Sequence, residues 1–503
     1  MLNLLNSEQT RLADQFTIQS RGMSSVDLIE AAANAFVSVF KSCYIFPDTP
    51  ISIYCGTGNN GGDGLAIARL LKESGYDRLN VIIARFSLNS TADFDINLKR
   101  LNLSGIPVTE ISDCISLPNE SSEIIIDALL GSGLNRPLEG NFKVLVEHLN
   151  QLKRHVVSVD VPSGLPSEGV INPESTILKA ELVISFQRPR INFYMPESGP
   201  FISKFRYVNI GLDEDFIEAQ EGGWKLLEAD DIQNIIHPRK PFTHKGTYGH
   251  ALIIAGSAET MGAALLCADA CLHSGAGLTT ACIPQEGLTA LNSRAPEVMA
   301  LIRNTGEDIL NADLKKYQAI AIGPGIGKDK GQAALLKNTL QSLNCPLVLD
   351  ADALNILALH PGWISFLPPG TILTPHMKEF DRLFGQQKSW TERVETGRIM
   401  AIQHKLVIVL KNQYTFIIQP DGNVLINPTG NPAMATGGMG DVLTGMITAF
   451  LAQGYKAEDS ALAACYIHGK AGDLLKEKGG MHCIPPRYLI RKLPEVIAAI
   501  SSE

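Results

Sequence analysis

The sequence Asn427-Pro-Thr-Gly-Asn-Pro-Ala-Met-Ala-Thr-Gly-Gly-Met-Gly-Asp441 leads directly into an apolar segment, residues 442–450, with the composition of a buried helix. The glycines near its end let main-chain N–H groups converge without obstruction by Cβ atoms. The helix that follows adds unpaired N–H donors and the positive end of its dipole, so we expect an anion to bind at its start. Asp441 either caps this helix or removes a proton from the group that attacks a bound phosphate.

The length and composition of the chain indicate how many domains to expect and whether a segment could span a membrane. A chain of 503 residues exceeds what one hydrophobic core usually organises, so we expect two or three domains. Hydrophobic residues make up 45% and charged residues 19%, and no apolar run approaches the ~20 residues that span a bilayer. The N-terminus shows no secretory signal, so we expect a cytoplasmic location without membrane association.

Cysteine usage and net charge narrow the expected ligands. Nine cysteines without a CxxC pair argue against a disulfide framework or a zinc site, and we expect Cys267 and Cys271 to be small core residues. A net charge of −9 without a basic stripe argues against nucleic acid as a partner. Small molecules remain as the expected ligands.

Short apolar runs alternate with helical or loop segments in the first part of the chain, which is typical of a mostly parallel α/β sheet. Polar loops follow these runs, and ligands bind at this carboxyl edge of open α/β sheets. Two helices precede the first run, and we expect Ser7 and either Ser24 or Ser25 to cap them. The predicted strands are residues 51–55, 80–84, 123–127, 155–160 and 181–186.

A change of composition over residues 213–250, acidic and then basic with no sustained periodicity, indicates a domain boundary. A second α/β series follows it, so we predict an N-terminal domain of residues 1–215 and a C-terminal domain of residues 216–503. The predicted strands of the second domain are residues 251–255, 278–283, 319–322, 346–349, 371–373, 406–410, 416–419 and 424–426, with a helix over residues 262–273.

Gly56-Thr-Gly-Asn-Asn-Gly61 satisfies the GxGxxG pattern of dinucleotide-binding folds. The next strand ends at Arg85, and an arginine in that region accommodates the 2′-phosphate of NADP, so this loop alone leaves an NADP-linked dehydrogenase open. Asn59, Asn60 and Asp63 indicate another ligand, because side-chain oxygens suit a hard cation or a hydroxylated molecule better than a pyrophosphate.

Two further loops carry an acid at the end of a predicted strand: Asp127 before Gly131-Ser-Gly-Leu-Asn-Arg-Pro137, and Asp160 before Val161-Pro-Ser-Gly164. Each aspartate alone is more often a turn-forming or capping residue. Strand-terminal acids on one edge of a sheet can face a shared pocket, and their joint occurrence indicates one.

Asn59-Asn-Gly-Gly-Asp-Gly64, together with the two aspartate motifs, resembles the NAD(P)H-hydrate epimerase family, the YjeF N-terminal domain, over the predicted first domain. The resemblance implies a Rossmann-like three-layer α/β sandwich, and a potassium ion held by Asn60, Asp127 and main-chain oxygen around Ser163. Oxygen ligands with few charges fit a weakly hydrated cation better than zinc. It also implies that the hydrate contacts Asn59, Asn60, Gly61, Gly62, Asp63, Gly131, Ser132, Gly133, Leu134, Asn135, Arg136, Pro137 and Asp160.

Epimerisation at the C6 carbinol of a hydrated nicotinamide requires a proton donor and a proton acceptor near that hydroxyl. We assign this role to Asp160 as a hypothesis. An unchanged epimerisation rate in Asp160→Asn would exclude the assignment.

Seven motifs follow one another in the C-terminal half: Gly256-Ser257 with Met261-Gly-Ala-Ala264, Ser274-Gly-Ala-Gly-Leu278, Gly323-Pro-Gly-Ile-Gly327, Asp350-Ala-Asp-Ala-Leu-Asn355, Thr374-Pro-His-Met-Lys-Glu379, Lys411-Asn-Gln-Tyr-Thr415 and Gly437-Gly-Met-Gly-Asp441. They resemble the ADP-dependent NAD(P)H-hydrate dehydratase family, whose fold is the ribokinase-like α/β domain. The resemblance implies that the hydrate contacts Gly262 or Ala263, Gly325, His376 and Asp441. It implies that the adenine nucleotide contacts Lys411, Asn412, Gln413, Tyr414, Thr415 and Gly440.

The reaction that fits these motifs is phosphoryl transfer to the C6 hydroxyl, followed by loss of phosphate, which is a better leaving group than hydroxide. We expect Asp441 to take the hydroxyl proton while the loop amides hold the transferring phosphoryl group. Such a transfer requires a divalent ion, for which Mg²⁺ is expected. ADP is the expected co-substrate because the single-chain fusion resembles bacterial members.

Other interpretations of single residues stay open. His376 is also explained as a strand-end histidine with a satisfied hydrogen bond, and Lys411 as a solvated strand-end charge. Asp350 and Asp352 are interpreted as turn residues and placed outside the site.

The main rival is a small-molecule kinase fused to a noncatalytic ligand-binding module, since such kinases share the fold and the glycine-rich loop. It predicts a stable phosphorylated product, whereas a repair enzyme restores the absorbance of the reduced coenzyme and releases phosphate. We also expect a homo-oligomer in which apolar residues between Leu28 and Phe40 are exposed to a partner subunit.

Overall fold

A computed structural model of the protein describes residues 1–115, 117, 119–134, 136–303, 313–343 and 345–502. The chain divides into two compact units. The N-terminal unit consists of Asn3–Gly222 with Ser389–Thr391. The C-terminal unit consists of Gly223–Lys388 and the chain from Glu392 onward, with Met1–Leu2.

The N-terminal sheet consists, in the described part of the chain, of seven strands, and all its neighbouring strands run parallel. Its spatial order is β4-β3-β2-β5-β6-β7-β8. The chain moves outward in one direction from β2 and in the other from β5, so the carboxyl ends of these two strands flank the topological switch point. After a two-residue strand, β1 (Leu2–Asn3), the strands are β2 (Ile51–Cys55), β3 (Leu79–Ala84), β4 (Val108–Ile111), β5 (Ile124–Ala128), β6 (His155–Val159), β7 (Ala180–Phe186) and β8 (Ile202–Val208).

The helices of this unit begin at recognisable caps. Asn6, not Ser7, caps the first helix, because the Asn6 side chain accepts from Gln9 N at 2.8 Å and the Gln9 side chain accepts in return from Asn6 N. Ser24 caps the second helix in the same way. The helices are α1 (Ser7–Arg21), α2 (Ser25–Cys43), α3 (Asn59–Glu73), α4 (Ala92–Asn102), α5 (Gly140–Gln151) and α6 (Glu214–Glu218).

The apolar face of α2 is covered within its own unit. Phe36 and Phe40 are fully buried and belong to the core that β2, β3 and α3 also form. The expectation that residues between Leu28 and Phe40 are exposed to a partner subunit is therefore wrong. The homo-oligomer stays a prediction, and this surface no longer supports it.

From β9 onward, the C-terminal sheet has the order β9-β18-β17-β16-β15-β14-β13-β10-β11-β12. Its neighbours run parallel except at the hairpin, where β17 is antiparallel to β16 and to β18. Here the switch point lies between β10 and β13. The strands are β9 (Trp224–Leu226), β10 (His250–Ile254), β11 (Leu278–Pro284), β12 (Met299–Arg303), β13 (Ala319–Ile322), β14 (Leu347–Leu349), β15 (Ile372–Leu373), β16 (Val407–Leu410), β17 (Thr415–Ile418) and β18 (Val424–Asn427).

Two apolar helices, α8 and α14, pack together in the core of this unit. Cys267 and Cys271 of α8 are fully buried, which confirms that they are core residues. A Cβ added at Gly445 of α14 would lie 2.1 Å from the Cys267 carbonyl oxygen, so glycine is what permits this close packing. The helices are α7 (Ala229–Ile235), α8 (Met261–His273), α9 (Leu288–Arg294), α10 (Lys330–Ser342), α11 (Asp352–Leu359), α12 (Met377–Phe384), α13 (Trp390–His404), α14 (Met439–Ala452), α15 (Ala457–Gly479) and α16 (Pro486–Ser502).

Within the described residues, no single helix combines the length and apolar content needed to cross a bilayer. The bent pair α1 and α2 passes that test only when both helices are counted together.

Candidate active sites

A cavity of about 780 Å³ lies at the carboxyl edge of the N-terminal sheet, at the switch point between β2 and β5. It is lined by the start of α3, the loop after β5, Asp160 after β6, the polar face of α1 and the first turns of α2. This is the shared pocket that the strand-terminal motifs predict. The predicted site residues that line it are Asn59, Asn60, Asp63, Gly131, Ser132, Gly133, Leu134 and Asp160.

The start of α3 presents unpaired main-chain donors to this cavity. Its N-cap, Gly58, makes no side-chain cap hydrogen bond, so the first N–H groups remain available to an anion. Gly61 and Gly62 are buried beneath it. A Cβ added at Gly61 would lie 1.8 Å from the Gly56 carbonyl oxygen, so this glycine serves close backbone approach rather than contact with the cavity.

The loop after β5 contributes only its first part to the cavity lining. Arg136 and Pro137 are exposed and are not among the lining residues that the structure describes. Asn135 lies outside the described residues.

Asp160 is held by Arg190, with both side chains buried. Oδ1 of Asp160 accepts from Arg190 Nε at 3.2 Å, from Arg190 Nη2 at 2.7 Å and from Ser185 Oγ at 3.0 Å. The described hydrogen bonds of this carboxylate all involve Oδ1. The residue has a left-handed backbone with φ of 62°, which is uncommon outside glycine and is often found at functional sites.

Asp127 is fully buried at the end of β5. Its carboxylate accepts from Ser163 Oγ at 2.6 Å, Ser163 N at 2.9 Å, Ser158 Oγ at 2.8 Å and Leu129 N at 3.2 Å. Burial raises the pKa of Asp127, while the hydrogen bonds from Ser163 and Ser158 oppose the rise. No basic side chain among the described residues forms an ion pair with Asp127.

The predicted potassium ligands lie near one another. A Cβ added at Gly131 would be 3.1 Å from Asn60 Oδ1, and the neighbouring Leu130 N donates to Ser163 Oγ at 3.0 Å. Asn60 Nδ2 is buried and has no hydrogen-bond partner within the described chain. A buried carboxylate without a counter-charge, beside the Asn60 amide oxygen, fits a bound monovalent cation.

Arg85 does not support the NADP-linked dehydrogenase. Its Nε and Nη2 each donate to the Glu110 carboxylate at 2.9 Å, so its guanidinium group is engaged in a bidentate ion pair. The basic residue that would bind a 2′-phosphate is therefore already occupied.

Two residues of the cavity, Asp14 and Arg190, were not found from the sequence. Burial raises the pKa of Asp14 to about 6, against the opposing charge of Arg190 and with a smaller contribution from Asp160. Burial also raises the pKa of Asp63 well above its ordinary value. The available signal was the polar stripe Ser7, Thr10 and Asp14, which recurs at helical spacing along α1.

In the C-terminal unit, Asp441 lies in the first turn of α14 and is not its cap. The helix begins at Met439, and its N-cap is Gly438, with φ of 96° and no side-chain cap hydrogen bond. The capping explanation of Asp441 is therefore excluded, and the first N–H groups of α14 are available to an anion. Burial raises the pKa of Asp441 to about 7, with Asp350 adding to the rise and Lys411 opposing it.

Asp350 and Lys411 lie beside this helix and form, with Asp441, a charged cluster. Lys411 Nζ donates to Asp350 Oδ1 at 2.9 Å, and Thr444 Oγ1 donates to Asp350 Oδ2 at 2.8 Å. A Cβ added at Gly440 would be 3.4 Å from Lys411 Nζ. Burial alone would raise the pKa of Asp350, but Lys411 and Thr444 hold it below its ordinary value.

The interpretation of Asp350 as only a turn residue is therefore wrong, and so is that of Lys411 as a solvated charge. Asp350 is 2% exposed, and the Lys411 side chain is 22% exposed. Asp352 does hold a loop, because its Oδ2 accepts from Gly327 N at 2.9 Å.

His376 caps α12 and lies beside Lys411 through an isolated parallel bridge. Its Nδ1 accepts from Glu379 N at 3.2 Å, so the neutral ring carries its proton on Nε2. His376 therefore has the satisfied hydrogen bond that we expected if it is only a strand-end histidine. Nε2 lies 3.5 Å from Glu379 Oε1, and half of the His376 side chain is exposed.

The remaining predicted residues fall into two groups. Ala263 and Gly325 lie together, since a Cβ added at Gly325 would be 3.1 Å from Ala263 Cβ, while Gly262 faces open space in the described structure. Asn412, Gln413 and Tyr414 form the turn between β16 and β17, and Thr415 begins β17. Gln413 Nε2 donates to Gly430 O at 3.4 Å, which places this turn against the glycine-rich loop.

Among the residues that the structure describes, no group of three His, Cys, Asp or Glu side chains is arranged to hold a metal ion. Mg²⁺ commonly binds through one or two carboxylates, water and substrate phosphates. The donors of the charged cluster therefore fit a Mg²⁺ ion for which the nucleotide supplies most of the ligands.

Two family models match the chain in two separate segments, one for each candidate site. Residues 25–191 match the YjeF-related protein N-terminus, and residues 251–495 match NAD(P)H-hydrate dehydratase. The bifunctional NAD(P)H-hydrate repair enzyme Nnr of Thermofilum pendens is 32% identical over 98% of this chain and 96% of its own length. The chain belongs to the bifunctional NAD(P)H-hydrate repair enzyme family. It is therefore an enzyme with an epimerase part and a dehydratase part, as the sequence motifs predict.

Other relatives agree with this assignment. The Escherichia coli member of the family is 32% identical over 95% of this chain and 90% of its own length. A ribokinase-like superfamily protein from Enterococcus faecalis is similar in structure to the C-terminal region, with a TM-score of 0.52, 29% identity, and coverage of 56% of this chain and 99% of that chain. The predicted ribokinase-like α/β fold is thus confirmed.

Proposed function

We propose that the N-terminal unit interconverts the R and S forms of NAD(P)H hydrate, and that the C-terminal unit uses ADP to return the S form to NAD(P)H. The first activity is assigned to residues 1–215 and the second to residues 216–503. One observation carries the proposal. Each unit places an aspartate, Asp160 or Asp441, beside a helix start that has no side-chain cap, at the carboxyl edge of its own sheet.

In the epimerase cavity, the N–H groups at the start of α3 bind a phosphate of the coenzyme, and Asp160 accepts a proton from the C6 hydroxyl. The Arg190 ion pair holds the Asp160 carboxylate in position. Asn60, Asp127 and Ser163 would hold potassium, which when bound supplies the positive charge that the buried Asp127 carboxylate lacks.

In the dehydratase site, Asp441 takes the proton of the C6 hydroxyl, whose oxygen attacks the β-phosphorus of ADP. The bond between that phosphorus and the bridging oxygen breaks, and AMP leaves. The N–H groups at the start of α14 hold the transferred phosphoryl group. Next, the N1 electron pair expels phosphate from C6, and a proton passes from C5 to solvent water as the double bond of NAD(P)H forms.

The other predicted residues are assigned to the two ligands of this site. Gly262, Ala263, Gly325 and His376 contact the hydrate, and Gly440 with the segment from Lys411 to Thr415 contacts ADP. Mg²⁺ bound with the nucleotide would neutralise phosphate charge. Lys411 also contributes positive charge, which Asp350 orients.

The test uses the full-length protein with purified S hydrate, with and without ADP. The proposal predicts ADP-dependent recovery of the reduced coenzyme, with AMP and phosphate formed in equal amounts. A phosphorylated hydrate that accumulates without coenzyme recovery would support the kinase rival instead. Interconversion of R and S hydrate without nucleotide tests the N-terminal unit separately.

A further inference from the structure

The epimerase cavity contains a carboxyl group for which no role has been assigned. Asp14 of α1 lines the cavity together with Asp160 and the start of α3. It lies four residues after Thr10, and residues at this spacing share one face of a helix. Thr10 Oγ1 accepts from Arg190 Nη1 at 3.0 Å, so one guanidinium group joins the Asp14 face of α1 to Asp160.

The two carboxyl groups occupy different environments. Arg190 donates two hydrogen bonds to Asp160 and forms an ion pair with it. No described hydrogen bond or ion pair holds the Asp14 carboxyl. Two carboxyl groups in one site that differ in this way are the usual arrangement for an acid and a base.

We propose that Asp14 is the proton donor of the epimerisation and works with Asp160 as the proton acceptor. The inference rests on the proposed function in that it takes this cavity as the epimerase site. Asp160 removes the proton of the C6 hydroxyl, the C6–N1 bond breaks to leave an aldehyde at C6, and N1 takes the proton of Asp14. Rotation about C5–C6 followed by the reverse steps closes the ring with the opposite configuration. Both carboxyl groups return to their initial protonation states.

The charge around Asp14 supports this role. Burial raises the pKa of Asp14 to about 6, so its protonated form is present in part near neutral pH. Because a proton donor acts in its protonated form, the epimerase kcat/KM should fall as the pH rises above about 6. Asp63 also lines the cavity, and burial raises its pKa well above its ordinary value. The charged side chains that line the cavity with Asp14 are Arg11, Asp63, Asp93, Asp160 and Arg190.

The test compares Asp14→Asn with Asp14→Glu and with a control, Glu8→Gln, in the full-length protein without nucleotide. Glu8 is an exposed carboxylate on the same helix and does not line the cavity. Conversion of R hydrate to S hydrate is followed by chromatography. Asp14→Asn is expected to lower kcat at least about 100-fold with little change in KM, and Asp14→Glu to retain part of the rate. Glu8→Gln is expected to match the wild type.

Three results would overturn the assignment of Asp14. One is an Asp14→Asn enzyme with the wild-type kcat and pH profile, and another is a change confined to KM. The third is a wild-type rate that does not fall as pH rises, and this measurement does not depend on whether a variant folds. An absence of R-to-S conversion by the wild-type protein would instead refute the epimerase site itself.

Discussion

At the scale of single residues, the dehydratase depends on the ionisation of Asp441. A general base acts in its ionised form, and the pKa of Asp441 is raised to about 7. The dehydratase kcat/KM should therefore rise with pH and level off above about 7. Asp441→Asn is expected to lower kcat by about 100- to 10,000-fold, measured as ADP-dependent formation of NAD(P)H from S hydrate. A wild-type rate that is independent of pH would contradict this role.

Substitutions of Lys411 and Asp350 in the charged cluster should shift the pH dependence of the dehydratase kcat/KM in opposite directions. Lys411 lowers the pKa of Asp441, so in Lys411→Met the dehydratase kcat/KM should rise at a higher pH than in the wild type. Asp350 raises the same pKa, so in Asp350→Asn the dehydratase kcat/KM should rise at a lower pH. Asp352→Asn is the matched control, because Asp352 bonds to Gly327 N and not to the cluster. Shifts of the same sign in the two cluster variants would rule out this electrostatic coupling.

Site residues that belong to a sequence motif were predictable. Site residues whose role depends on a partner far away in the sequence were not. Asp441 and Asp160 follow recognisable strand-end or glycine-rich patterns. Asp350 acquires its role from Lys411, which is 61 residues away in the sequence. Asp14 lies in an ordinary-looking helix, and Arg190, which reaches Thr10, is 180 residues further along the chain.

At the scale of elements, the contact between α8 and α14 positions the start of α14. Gly445→Ala is expected to lower the free energy of unfolding of the C-terminal unit by about 1–3 kcal/mol, because the new Cβ would overlap the Cys267 carbonyl oxygen. Denaturant unfolding measures this change. Gly262→Ala in α8 is the control, since its Cβ would meet open space in the described structure, and its stability should be unchanged or slightly higher. Equal stability of wild type and Gly445→Ala would show that the helices are not packed as described.

The central strands were predicted closely and the peripheral ones were not. Strands β2 and β13 have the predicted bounds, because they are short, mostly apolar and buried at every residue. Strand β8 was missed, because exposed polar residues interrupt its apolar pattern. Helix α14 begins three positions before the predicted start, at Met439, because tertiary packing overrides the low helix propensity of its glycines.

At the scale of the whole molecule, two α/β units each place their site at the carboxyl edge of their own sheet. Alternating strands and helices predict this architecture, since parallel strands bring their carboxyl ends to one edge. The sequence alone did not show that the apolar residues of α2 are buried within their own unit. The apolar residues of α2 suggested a subunit contact, and they are instead the core of their own unit.

The division of labour between the units is tested most directly by one comparison of Asp160→Asn and Asp441→Asn in the full-length protein. Each variant is given purified R hydrate, with and without ADP, and the R hydrate, S hydrate and NAD(P)H are measured over time. Asp441→Asn should interconvert the hydrates at the wild-type rate and form NAD(P)H with ADP at least about 100-fold more slowly than the wild type. Asp160→Asn should leave R hydrate largely unconverted while still consuming added S hydrate. Loss of both activities in either folded variant, or ADP-dependent recovery by Asp441→Asn at the wild-type rate, would contradict two separate aspartate-centred sites.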